Sequence, residues 1–504
     1  MVIANEMRGL VGLIRGIDYK YLVAGVFIFG LFMDILDTTI VNVALPRLAE
    51  EFHADTATLE WVVTGYVLSL ALWIPASGWI GDRFGTKKTF MFATAMFVLG
   101  SALCGWAWNI ESLVVFRILQ GVGGGMLTPV GTAMLYRAFT PSERARASAI
   151  MSIPTMFAPM LGPLFGGFLV DAVSWRWIFY VNVPVGVASF IFSWIALKEH
   201  REPGAGKFDP GGFVFSGVGV AGVLFALSRG PEDGWTSPVV LASGLGGIVC
   251  LALLVIVETR NTAPMLDLQL YCSKLFRTAN LTGAMFMGTQ FGMLFILPLF
   301  LQQLLGLSAF ESGLTTFPQP VGQIIMVQFT SRMYHRLGAR LNLIIGTGGV
   351  FVTTALFLLV GLDTNLWWIR GIVFLRGCFI AFNMVSMQTA LFAAVPREKT
   401  GRASSLWNTS RQVAVAFGTA VAATVLIATI GNSGSTGGLA GVPSDLGLTA
   451  FHDTVGVLLI LSALAVFFAF QIQDRAAASP VVQPTVAAPL TPALTGRERD
   501  TAAD

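Results

Sequence analysis

Fourteen apolar runs separated by short polar connectors account for most of this 504-residue chain. They fall at about 21–45, 59–80, 88–108, 112–135, 147–170, 177–197, 211–230, 237–257, 278–302, 312–331, 341–361, 366–390, 404–430 and 449–471. A helix of roughly 20 apolar residues crosses the hydrocarbon of a bilayer and satisfies its own backbone there. The expected fold class is therefore an all-α integral membrane protein. The charged fraction of 12% supports it, because a soluble domain carries about twice that share.

The positive charges give the orientation. With the amino terminus inside, alternate connectors and the two termini hold 24 of the 31 lysines and arginines. The opposite side holds Arg47, Arg176, Arg229 and Arg370, while Arg117, Arg376 and Arg411 lie within spans. By the positive-inside rule both termini are cytoplasmic. The first run is too long for a secretory signal and lacks a small-residue cleavage site, so it reads as a span of a multi-pass cell-membrane protein. Cys104, Cys250, Cys272 and Cys378 show no metal or redox spacing. There is no phosphate-binding loop and no nucleophile elbow. An enzyme is not expected, nor a metal or organic cofactor.

The first run carries two carboxylates, Asp34 and Asp37, near its middle. An aspartate there costs about 2.5 to 3.5 kcal/mol even on the lenient insertion scale. Residues three apart share a helix face, and such a pair meets ions, protons or substrate in a polar cavity, or else forms a structural pair locked by neighbouring helices. Arg117 in the fourth run needs a buried partner, and Asp34 and Asp37 are the carboxylates well inside a span. A carboxylate poised between desolvation and a nearby arginine is able to load and release a proton.

The chain repeats itself. Gly81-Asp82-Arg83-Phe84-Gly85-Thr86-Lys87 follows span 2, and Tyr334-His335-Arg336-Leu337-Gly338-Ala339-Arg340 follows span 10. Arg117 in span 4 likewise matches Arg376 in span 12. The expected organisation is a cytoplasmic segment 1–20, a six-helix bundle over 21–197, a linker over 198–274 with two inserted spans, a second six-helix bundle over 275–471, and a disordered tail over 472–504. Repeated halves around a midplane site are secondary-transporter architecture.

Several motifs carry a resemblance. Gly78-Trp-Ile-Gly81-Asp82-Arg83-Phe84-Gly85-Thr86-Lys87-Lys88 resembles the signature loop of the major facilitator superfamily. Gly162-Pro163-Leu-Phe-Gly166-Gly167 is similar to the helix motif of its antiporters, although a kinked helix with a small packing face accounts for the same residues. Leu36-Asp37-Thr38-Thr39 through Pro46, Arg117-Ile-Leu-Gln120-Gly121-Val-Gly123 and Trp175 through Gly186 resemble the fourteen-span drug:proton antiporter family of multidrug exporters. The likeness is weaker in Pro298 to Gln302 and in Ser410-Arg411-Gln412.

The resemblance implies a major facilitator fold of two six-helix bundles plus two inserted spans. It implies proton coupling at Asp37 with Arg117, with the proton as coupling ion, and a conformational latch at Asp82 and Arg83. Asp34 lies outside the family motif, and its role rests on geometry. Spans 9–14 hold no mid-span acid, which argues against a purely divalent-cation cargo. The aromatic and methionine content suits a promiscuous apolar pocket as well as lipid-facing surfaces. Gln290, Phe291, Asn383, Met387 and Gln388 are the candidate pocket residues.

The expected function is proton-coupled efflux of amphipathic, often cationic, compounds from a bacterial inner membrane. Export of an endogenous metabolite or lipid-like compound is the alternative, and a non-transporting sensor with this fold is more remote. Expected partners are small-molecule drugs or metabolites and the lipid bilayer, with no nucleic acid. A monomer is enough for this reading.

Overall fold

A computed structural model of the protein describes residues 16–472 apart from 55, 205, 262–263, 394, 432–438 and 440. The segment through residue 15 and the tail from 473 onward lie outside the described residues. Among the described residues there is no strand. The long helices are α1 (Tyr19–Phe52), α2 (Thr56–Phe84), α3 (Thr86–Gly105), α4 (Ile110–Ala138), α5 (Arg144–Ala172), α6 (Asn182–Ala196), α7 (Pro210–Asp233), α8 (Pro238–Arg260) and α9 (Lys274–Leu299). Pro318–Leu356 follows, broken at Gly338 into α10 (318–337) and α11 (339–356). Then come α12 (Leu366–Ala393), α13 (Thr400–Ile430) and α14 (Ser444–Phe470).

Among the described residues, twelve helical stretches are long and apolar enough to cross a bilayer. The other two expected crossings, α5 and α10, are also helical. Arg144 and Arg146 open α5, while Gln319, Gln323, Gln328, Arg332 and Arg336 punctuate α10. The count of fourteen rests on the charge pattern of the connectors. Helix starts follow local chemistry: Asn109 and Ser112 form a capping box at α4, and the Asp209 and Ser273 side chains accept the free backbone N–H groups that open α7 and α9.

In the first half α1 packs along α5, α2 along α4, and α3 along α4 and α6. In the second, α9 packs along α13 and α14, and Pro318–Leu356 along α12 and α14. The halves meet where α2 and α4 lie on α13, and where α5 lies on α12 and on Pro318–Leu356. The inserted helix α7 lies on both α2 and α13, so it covers one edge of the join. Its partner α8 presents Leu245, Ile248 and Val249 outward, as a lipid-facing helix does.

The internal repeat has a backbone counterpart. Gly85 (φ +106°) separates α2 from α3, and Gly338 (φ +77°) separates α10 from α11. Both adopt the left-handed region that favours glycine, so the two basic connectors turn by the same device. The connector expected over 431–448 is shorter than its composition suggests, because α14 already starts at Ser444.

Small residues set the helix spacing. A Cβ on Gly123 of α4 would fall 2.5 Å from the Ala93 carbonyl oxygen and the Phe97 nitrogen of α3. Backbone lies on both sides there, and backbone does not rotate away. Gly123→Val is expected to overpack α3 against α4 at a cost of about 1 to 3 kcal/mol. A thermal scan of the purified protein checks this, and an unfolding midpoint equal to that of the parent would refute the close packing.

Candidate functional site

Asp37 is fully buried, and its carboxylate is saturated by the first half of the chain. Arg117 Nη1 lies 2.6 Å from Asp37 Oδ2, while Gln120 Nε2 at 2.8 Å and Asn182 Nδ2 at 2.9 Å both donate to Oδ1. The guanidinium has further anchors. Its Nε donates to the Val62 carbonyl at 3.0 Å and its Nη1 to Gln120 Oε1 at 2.7 Å. The Tyr66 ring lies 4.1 Å from its central carbon. Helices α1, α2, α4 and α6 all contribute to this cluster.

Asp34 takes different partners. Tyr66 Oη donates to its Oδ1 at 2.8 Å and Thr128 Oγ1 to its Oδ2 at 2.9 Å. Three residues apart on one helix, the two acids divide the available donors. Asp37 is tied to a cation, whereas Asp34 is held by two hydroxyls. Arg411 of α13, in the other half, attracts Asp34 electrostatically without closing to an ion pair. Thr38, one turn along from Asp34, is exposed, as is Asn42.

The antiporter-type helix motif lies against this region. Gly162 faces the Thr39 side chain, and a Cβ on Gly166 would fall 2.9 Å from Ile40 Cγ1, so both let α5 approach α1 beside Asp37. Gly167 has nothing within 4 Å of an added Cβ, and Pro163 lies within α5.

The signature loop sits at the end of the molecule where the basic connectors gather. Gly78 N donates to Ser405 Oγ at 2.8 Å, and its bare Cα lets α13 approach, since a Cβ there would meet the Gly401 oxygen at 2.5 Å. Gly81 has only ordinary contacts with Thr86 and Val130. Asp82 receives Arg137 Nη2 at 2.8 Å and abuts Gly401 at the start of α13, where a helix N-terminus favours a negative charge. Arg83, expected to act with Asp82, is exposed; Arg137 is the cation in contact. Gly85 packs on Glu199, and Lys87 Nζ donates to the Trp194 carbonyl at 2.6 Å.

Other bonds between the halves gather at this same end. Ser77 and Ser405 hydroxyls lie 2.9 Å apart, Ser404 donates to the Pro129 carbonyl at 2.7 Å, and Ser148 meets Thr389 at 3.0 Å. Arg144 donates to the Phe392 carbonyl, and the Tyr136 and Phe392 rings stack 4.1 Å apart. The opposite end carries an open cleft of about 580 Å³ within the first half, between α1 and the end of α5, lined in part by Glu50, Glu51 and Trp175. The basic end is closed in this state.

In the second half, Arg376 is as buried as Arg117 but finds no carboxylate among the described residues. Its Nη1 donates to Thr354 at 2.6 Å and its Nη2 to Gln290 at 3.2 Å. Phe291 is half-buried against the core. Asn383 is buried with both amide atoms unpartnered, and Gln388 Oε1 is likewise unpartnered. Met387 is fully buried against Gly283. Asn383, Met387 and Gln388 are therefore closed over here, next to Thr389 at the sealed end. Sequence reasoning alone gives no role to Tyr66, Thr128, Gln120, Asn182 or Arg137. Gln120 and Asn182 stand inside quoted motifs, which is a usable signal; Tyr66 and Thr128 offer none.

Residues 27–419 match the family model described as Major Facilitator Superfamily. The chain belongs to that superfamily. It is a multi-pass membrane transporter rather than an enzyme. Among similar curated proteins is a putative multidrug resistance protein MdtD of Pectobacterium carotovorum, 33% identical over 79% of this chain and 85% of that protein. A multidrug resistance protein B homolog of Mycobacterium tuberculosis is 33% identical over 80% and 75%. An uncharacterized MFS-type transporter YhcA of Bacillus subtilis is 32% identical over 79% and 75%. A crystal structure of the human organic anion transporter MFSD10 shares the fold, with a TM-score of 0.63 at 15% identity over 90% of this chain and 99% of that one.

Removing one member of a buried ion pair strands the other, at a cost of about 3 to 5 kcal/mol. Arg117→Ala is expected to lower the unfolding midpoint more than Asp37→Asn, which keeps hydrogen-bonding capacity at the same place. The Asp37→Asn/Arg117→Gln double variant is expected to be more stable than Arg117→Ala alone. Thermal scans of the purified variants check the order, and equal losses for all three would rule out a stranded charge.

Proposed function

We propose that the protein exports amphipathic, often cationic, small molecules in exchange for protons, by alternating access in a bacterial inner membrane. The basic end is taken as cytoplasmic on the distribution of lysine and arginine, so the state described above faces outward. The observation that carries the reading is the acid of the first span, Asp37, held by a cation that has other anchors. When Asp37 takes a proton, Arg117 keeps the Val62 carbonyl, the Gln120 side chain and the Tyr66 face. The cation is then not stranded, and this lowers the cost of neutralising its partner.

Protonation also loosens the tie that Asp37 makes from α1 to α4 and α6, which lets α1 shift against α5 at the Gly162 and Gly166 contacts. Asp34 supplies the negative charge that faces the gap between the halves, and a cationic cargo group displaces neither of its hydroxyl donors. Protons entering from outside release cargo, and deprotonation toward the cytoplasm resets the site. Opening inward requires the bonds of Gly78, Asp82 and Ser405 at the basic end to part. The proton is the coupling ion in this scheme, and the cycle uses no organic cofactor.

The test is ethidium transport in proteoliposomes under an imposed pH gradient. Asp37→Asn is expected to reduce gradient-driven flux more than tenfold. Asp34→Asn is expected to leave gradient-driven proton movement in place while raising the half-saturating ethidium concentration. Unchanged flux in Asp37→Asn would sink the proton-carrier role, and wild-type protein that moves no ethidium would sink the cation-exporter reading.

A further inference from the structure

The second half contributes a charge that the exporter reading leaves without work. Arg411 lies on α13, and its Nε is buried with no acceptor among the described residues. Ser404, Asn408 and Arg411 stand at spacings of four and seven, which places them on one face of the helix. Ser404 fixes the direction of that face, because its hydroxyl donates to the Pro129 carbonyl of α4 in the other half at 2.7 Å. Arg411 is about 10 Å further along the axis at 1.5 Å per residue, still turned toward the first half. Thr128, the neighbour of Pro129, is one of the two donors to Asp34. Asp34 and Arg411 thus line opposite sides of the join between the halves.

Each of the two lacks a counter-charge in contact. Asp34 has only hydroxyl donors, and no carboxylate lies within ion-pair distance of Arg411 among the described residues. A buried Nε–H without an acceptor is costly, and a planar carboxylate or sulfonate fits the fork of this half-buried guanidinium. We propose that Arg411 is the seat for an acidic group on the cargo, so that the preferred cargo is an amphipathic zwitterion bridging the halves, its cationic end at Asp34 and its acidic end at Arg411. This rests on the exporter reading for its setting, but the binding it requires is measurable without transport. It also gives the cargo a mechanical effect: one molecule neutralises a charge on each half and draws the two faces together.

Rhodamine B and its ethyl ester provide the probes, since both carry the delocalised cation and only the former has a free carboxylate. Equilibrium binding to the full-length protein in nanodiscs is expected to favour rhodamine B at least tenfold. Arg411→Gln is expected to abolish that preference, and Arg411→Lys, which keeps the charge, to retain most of it. Equal binding of the two dyes by wild type would overturn the inference, as would a preference that survives in Arg411→Gln, or one lost equally in Arg411→Lys. No binding of either dye by wild-type protein that elutes as a single folded species would overturn it too. Failure of the exporter reading shows separately, as absent gradient-driven ethidium flux while the dye preference persists.

Discussion

The buried pair of Asp37 and Arg117 sets the terms for the whole first half. Two ions inside a bilayer-spanning bundle are tolerable only when they meet and their remaining hydrogen-bonding positions are filled. Meeting requires α4 to come close to α1 and α2, and the glycines of α4 make that possible. A Cβ on Gly121 would fall 2.7 Å from the Tyr66 carbonyl oxygen, one on Gly124 2.6 Å from the Tyr66 hydroxyl, and one on Gly125 2.5 Å from the Leu70 carbonyl oxygen. The same approach brings Tyr66 over Arg117 and within bonding distance of Asp34. The ion pair, the second acid and the glycine run are one packing solution.

The second half repeats the design with the acid removed. Arg376 stands where Arg117 stands in the repeat, and its partner on the first helix of that half is Gln290 rather than an aspartate. Gly85 and Gly338 keep the matching left-handed turns, so the backbone symmetry survives while the charge symmetry does not. The first half holds its buried arginine against a carboxylate, whereas the second holds its own against a hydroxyl and a neutral amide. In the proposed cycle this division lets proton and cargo act on the same interface through different side chains.

Much of this is legible in the sequence because membrane folding leaves few choices. Apolar length locates the helices, and the clustering of lysine and arginine sorts their ends. The cost of charge in hydrocarbon is enough to single out Asp37 and Arg117. The repeat is readable for a different reason: a basic turn with a left-handed glycine has a short, rigid consensus. Contacts between distant neutral residues are not legible. Nothing in the spacing of Tyr66 or Thr128 announces a bond to Asp34, since hydroxyls are common on buried helices and their direction depends on tertiary packing. The partner of Asp82 is hidden for a related reason. Arg83 is adjacent in sequence, but the end of a helix points it outward, and Arg137 reaches the carboxylate from α4. Asn383, Met387 and Gln388 stand out for polarity or softness on a helix facing the join, and the closed basic end covers them in this state.

The closed end is built to be opened. Apart from Arg144 on the Phe392 carbonyl, its polar links, Ser77 and Gly78 to Ser405, Ser404 to Pro129 and Ser148 to Thr389, join neutral groups that also bond well to water. A neutral hydrogen bond of this kind contributes about 0.5 to 1.5 kcal/mol net, so the set is worth a few kcal/mol. Inverting a two-state population from one to ninety-nine parts takes about 5.5 kcal/mol. The polar latch therefore lies in the range that one or two charge-neutralising events in a low-dielectric site are able to tip. Apolar contact adds to this seal, with the Tyr136 and Phe392 rings stacked 4.1 Å apart across the join. The small hydroxyls and glycines at Gly78, Ser404, Ser405 and Gly401 give the join links that water can replace, which in the proposed cycle leaves its opening to the chemistry at Asp37.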